Sequence, residues 1–123
     1  MREFAIDAAR LAANTRCRNV VLLDVRSLSP VTDYMIIATG TSTRQMRTVV
    51  DEVEEMGAPR GFSSMSRSGY EGESWVLLDF VDMIIHVMND DARVYYDLDN
   101  LWGEAKRVDW QTGMPQPKAQ TTA

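Results

Sequence analysis

The chain has 123 residues, 45 % of them hydrophobic and 25 % charged, which is the make-up of one globular domain and excludes a disordered, fibrous or two-domain protein. Thirteen Lys and Arg against 18 Asp and Glu leave a net charge of -5, a balance that opposes binding to bare DNA or RNA phosphates and favours a basic partner. Cys17 is the single cysteine, so neither an internal disulfide, a zinc cluster nor a Cys-x-x-Cys pair can be assembled, which suits a reducing cytoplasm.

No apolar run approaches the roughly 18 residues that span a bilayer. The opening "MREFAIDAAR" carries an acid and lacks a signal-peptide core, so neither a membrane nor secretion is expected. Instead, Phe4, Ile6, Ala9, Leu11 and Ala12 approximate one stripe and predict an amphipathic helix over Arg2 to Thr15. A dense β-branched run from Val20 to Val25 predicts a strand, and "SLSPVTD" punctuates it. "YMIIA" follows, continuous rather than alternating, as in a strand covered on both faces near the middle of a sheet.

Beyond "TGTS" the period changes. Met46, Val49, Val50, Val53 and Met56 follow helical spacing, with Ser42 or Thr43 as N-cap and Gly57 as the stop. "GAPRGFSSMSRSGYEGES" reads as a loop holding one short edge strand around Phe62 to Met65. "SWVLLDF" and "MIIHVM", separated only by Val81 and Asp82, read as a tight strand pair. "NDDARVYYDLDNLWGEA" carries Val94, Leu98, Leu101 and Trp102 at near-helical spacing and divides into two short helices, with Trp102 closing the core. From Lys106 onward the composition offers little apolar matter, which predicts a domain over residues 1–106 and a disordered tail over 107–123. The order of elements argues for an α/β (α+β) single domain, a mixed sheet flanked by helices.

Where chemistry could reside is limited. "ATGTST" sits between a buried strand and a helix, where backbone N–H groups can hold an anion, but it has one glycine and lacks both G-x-G-x-x-G and the lysine of a P-loop. It reads as a capped bend. His86 is the only histidine and has no G-x-S-x-G partner, so it reads as a core or interface residue. Asp79 and Asp82, with Asp24 and Asp33, could in principle share a metal ion, but Asp79 and Asp82 are three apart with a turn between them, and no metal site is expected. Acidic residues around Asp90, Asp91, Asp97, Asp99 and Glu104 read as a solvated field. The aromatic residues are more informative. Trp75, Leu77 and Asp79 alternate onto one strand face, opposite Val76, Leu78 and Phe80, so one face can be core and the other a contact surface.

"TDYMIIATGTSTRQM", Glu71-Gly72, "WVLLDF", "VDMIIHVM" and "YYDLDNLWG", in this order and at these separations, closely resemble the ribosomal silencing factor family, also called Iojap or RsfS; the similarity runs from about Phe4 to Ala105. The resemblance implies a nucleotidyltransferase-like fold without catalytic activity or cofactor. It implies binding to the large ribosomal subunit through its L-fourteen protein, a block on subunit joining when nutrients are scarce, and homodimers when free. Organellar relatives are implied to assist large-subunit assembly. The chain departs from the family at Val81, where a glycine is usual in a G-D-x-x-x-H turn; if that turn needs a positive φ, valine is strained there.

The expected contact residues are therefore Trp75, Leu77 and Asp79, with Tyr70, Asp82, His86, Tyr96 and Asp97 as further candidates. A competing reading, a metal-dependent nucleotide-binding or nucleotidyl-transferring enzyme, would use Gly40, Ser42, Asp79 and Asp82. An assembly role would differ from silencing in timing rather than in contacts.

Overall fold

The computed structural model describes residues 1–114. Helix α1 (Arg2–Asn14) turns Phe4, Ala5, Ala8, Ala9 and Ala12 inward, and its small alanines allow the backbone to lie close against a sheet. Helix α2 (Thr43–Gly57) begins where Ser42 Oγ accepts the Gln45 N–H, a cap worth about 1 kcal/mol. It buries the expected stripe of Met46, Val49, Val50 and Val53, each contributing on the order of 1.5–3 kcal/mol of transfer free energy.

Six strands form one sheet: β1 (Arg18–Asp24), β2 (Tyr34–Thr39), β3 (Ser66–Ser68), β4 (Trp75–Asp79), β5 (Met83–Met88) and β6 (Lys106–Arg107), in the order β3-β4-β5-β2-β1-β6. β2 and β5 run parallel and every other neighbouring pair is antiparallel. The sheet is thus mixed, as expected, and β2 is buried along its whole length near the centre. Helices α1 and α2 cover one face, where Leu22, Tyr34, Ile36, Ala38, Val76, Leu78, Ile85 and Val87 form the main core. Two short helices, α3 (Asp90–Tyr96) and α4 (Leu98–Leu101), cover part of the other face over Val21, Leu23, Met35, Ile37 and Met88, and Trp102 packs there too.

Three boundaries differ from the sequence expectation. β1 starts two residues early because its register with β2 shifts between Arg18 and Val21, with Asn19 at φ 50°; this bulge lets the polar residues Arg18 and Asn19 join a strand. The edge strand lies at Ser66–Ser68, not Phe62–Met65. Phe62 leaves the sheet and stacks on Phe4 with ring centroids 4.7 Å apart, while Ser66 to Ser68 pair with Asp79 to Leu77. Finally, residues 107–114 are not a solvated tail. Lys106 and Arg107 pair with Asp24 and Leu23, Val108 is buried, and the Trp110 Nε1–H donates to Val20 O at 3.2 Å. Arg10 fastens the segment from α1, donating to the carbonyls of Trp110 at 2.8 Å and Thr112 at 2.9 Å. The last part of the expected tail, 115–123, lies outside the described residues.

Candidate partner-binding face

On the second sheet face, α3 and α4 stop short of β4, leaving Trp75, Leu77 and Asp79 half-buried rather than covered. Register places His86 of β5 opposite Leu77, Met88 opposite Trp75, and exposed Ser68 of β3 on the far side of Leu77. The Trp75 Nε1–H donates to His86 Nδ1 at 3.1 Å, and the Tyr96 ring lies 4.6 Å from the Trp75 ring. Tyr95 meets Tyr96 edge-on at 4.9 Å. Val94, Tyr95 and Leu101 project outward from α3 and α4, 72–81 % exposed. Beside them, Ser68, Gly69, Trp75 and Leu77 line an apolar hollow of about 290 Å³. Gly69 makes this close approach possible: its φ is 74°, and a Cβ there would stand 2.0 Å from the Trp75 carbonyl oxygen.

α3 is held to the sheet by Arg93, whose guanidinium donates to Thr39 Oγ1 and to the Asn19 carbonyl, both at 2.9 Å. Asp82, Asp91, Asp97 and Glu104 are exposed and make no ion pair among the described residues. Unpaired surface carboxylates of this kind attract a basic surface.

The candidate residues thus fall into two groups. Trp75, Leu77, Asp79, His86 and Tyr96 come together. His86, however, is only 6 % exposed, and burial pushes its pKa down to about 4 although Asp79 pulls it upward. The imidazole is neutral at neutral pH, and because Nδ1 accepts the indole proton, its own proton belongs on Nε2. That nitrogen is buried and has no hydrogen-bond partner among the described residues. Tyr70 lies elsewhere: its hydroxyl donates to Asp51 of α2 at 2.8 Å, and its ring lies under the guanidinium groups of Arg67 and Arg47. Asp82 sits in the β4–β5 turn, where its carbonyl accepts the N–H groups of Asp33 and Tyr34. Asp97 occupies the α3–α4 junction at φ 47°. Sequence reasoning did not single out Ser68 and Gly69, whereas the aromatic set of the second half, Tyr95 and Tyr96 of "VYYD" included, already signalled that α3 has an apolar outer side.

The loci of the nucleotide reading have internal uses. Gly40 is buried against Met46, whose Cγ would stand 2.1 Å from an added Cβ, and the Thr41 N–H is taken by Gln45 Oε1 at 3.1 Å. The bend is therefore built for packing and capping. Asp79 Oδ1 accepts the Val81 N–H at 2.6 Å. No three His, Cys, Asp or Glu side chains converge as a metal would require among the described residues, and no helix there is long and apolar enough to cross a membrane.

Comparison with known proteins agrees with this architecture. The family model described as "Ribosomal silencing factor during starvation" matches residues 1–123. The chain is 33 % identical over 109 residues to ribosomal silencing factor RsfS of Bacillus subtilis, covering 89 % of this chain and 92 % of that one. A mouse protein named mitochondrial assembly of ribosomal large subunit protein 1 is 30 % identical over 104 residues, covering 81 % of this chain and 46 % of its own length. A crystal structure of a Chromobacterium violaceum protein superimposes with a TM-score of 0.79 at 29 % identity, covering 96 % of this chain and 98 % of that one. With a match along its whole length and the same fold, the chain belongs to the RsfS family of ribosomal silencing factors.

Proposed function

We propose that this chain represses translation under nutrient limitation by docking on the large ribosomal subunit through ribosomal protein L-fourteen and obstructing the approach of the small subunit. The observation that supports this reading best is the half-covered sheet face: a run of aromatic side chains, Trp75, Tyr96 and Tyr95, beside an apolar hollow. Aromatic anchors with large rigid area, on a chain whose net charge is -5, suit a basic protein surface. The mechanism is steric. About 800 Å² per partner is enough for specific docking, after which the bulk of the domain excludes the other subunit, so no catalytic group, metal or cofactor is required. The reading places the chain in the cytoplasm, as a homodimer when free.

Sucrose-gradient sedimentation of purified subunits, at a magnesium concentration that permits joining, tests it. Co-migration with the large subunit and loss of the joined peak are expected. Trp75→Ala should weaken binding by about 2 kcal/mol or more; an unchanged gradient with this variant means that the docking face lies elsewhere. Binding without loss of joining would favour an assembly role, as in the name of the mouse relative. Titration with ATP and Mg²⁺ is expected to release no heat, and heat at millimolar ligand would return the nucleotide reading.

A further inference from the structure

His86 lies at the centre of the aromatic face and yet offers a partner almost no surface, being 6 % exposed. Its ring is instead engaged sideways: Nδ1 accepts the Trp75 indole proton at 3.1 Å, with the two rings 5.7 Å apart. Trp75 is thereby fixed from two directions, by this hydrogen bond at its polar tip and by the Tyr96 ring 4.6 Å away. The arrangement leaves His86 Nε2 buried and unpartnered among the described residues, an expense that an apolar residue would avoid. Neighbouring β5 positions, Ile84 and Ile85, are simply apolar.

We propose that His86 is a positioning residue: its Nδ1 holds the Trp75 indole in the orientation in which the face receives its partner, while the imidazole itself stays out of the contact. This rests on the reading that Trp75 lies in the docking face. The physical gain is pre-organisation, because a large side chain already confined to one rotamer loses less freedom on binding. The neutral imidazole acts as an acceptor, a role that an amide oxygen at the Nδ1 position can take over and an alkyl group cannot.

Two readouts test it. In the free protein, exchange of the Trp75 indole proton is followed by NMR, its resonance assigned by its loss in Trp75→Phe. Slow exchange is expected in the wild type and in His86→Asn, and fast exchange in His86→Leu. In the second, affinity for the purified large subunit should fall about tenfold in His86→Leu, recover in His86→Asn, and in Trp75→Phe fall no further when His86→Leu is added. Unchanged indole exchange in His86→Leu overturns the proposal, as do independent, multiplying effects in the double variant. Wild-type affinity of His86→Leu, in a background where Trp75→Ala abolishes binding, overturns the positioning role and leaves the docking face standing. Wild-type affinity of Trp75→Ala overturns the docking face itself.

Discussion

Arg93 and Asp99, six residues apart, meet across the α3–α4 junction as a two-pronged pair, Nε on one carboxylate oxygen at 2.8 Å and Nη2 on the other at 2.9 Å. The guanidinium hydrogen bond holds the Asp99 carboxyl below the usual carboxylate range. Because the same guanidinium also reaches Thr39 and the Asn19 carbonyl, one side chain ties both helices to two strands. Arg93→Met should therefore lower stability by about 3 kcal/mol, since it strands a partly buried carboxylate and a strand-end hydroxyl together. Arg93→Lys should recover little, because an ammonium cannot reproduce the planar fork. Urea unfolding measures both, and a lysine variant as stable as wild type would show that charge alone suffices.

Val81 adopts φ 72° in the three-residue link between β4 and β5, where the Asp82 N–H donates back to the Phe80 carbonyl at 2.9 Å. The turn does demand a positive φ at the position where the family resemblance implies glycine, and a β-branched residue there carries on the order of 1–3 kcal/mol of strain. Glycine would remove that strain and add about 0.5–1 kcal/mol of unfolded-state entropy. Strain is the larger effect, so Val81→Gly should stabilise the domain by about 1 kcal/mol, seen as a rise of several degrees in Tm. A lower Tm would mean that valine is accommodated without strain.

The depressed pKa of His86 gives stability a definite dependence on pH. Folded, the group titrates near 4; unfolded, near the ordinary 6.5. Between these values the unfolded chain binds more protons, so stability is full above about pH 6.5 and is lost as pH falls toward 4, by on the order of 3 kcal/mol in all. His86 is the only histidine. The difference between wild type and His86→Leu, followed by urea unfolding from pH 7 to pH 4.5, should therefore shift steadily in favour of the variant. A difference independent of pH would show that the imidazole protonates freely in the fold.

Trp110 packs against the main core and bonds to β1 from a segment that its composition marks as a tail. Trp110→Ala should cost about 2 kcal/mol, less than full burial of a tryptophan would imply because the ring is only half-buried. It should also speed amide exchange at Val108, whose N–H donates to the Leu22 carbonyl at 2.8 Å. If the variant melts with the wild type, the segment contributes no stability.

Periodicity in the sequence already determined the two long helices, the central strands, the tight β4–β5 pair and the inward face of α2, since these depend on residues within a turn or two of one another, whereas in α1 the buried face runs through Ala5 and Ala8 rather than through Ile6 and Leu11. The alternation that sets Trp75, Leu77 and Asp79 against Val76, Leu78 and Phe80 was legible in the same way. Only the tertiary structure decided which half of the second sheet face is left open, because that depends on where α3 and α4 come to rest, and Arg93 fixes them to residues 54 and 74 positions away. It also sent Tyr70 to the α2 side through Asp51 and sank His86 beneath Trp75. Residues 106–112 show why composition missed a packed segment: a strand that adds to an existing edge borrows its hydrogen bonds from β1 and needs only Val108 and Trp110 to hold it, too few apolar residues to form a pattern.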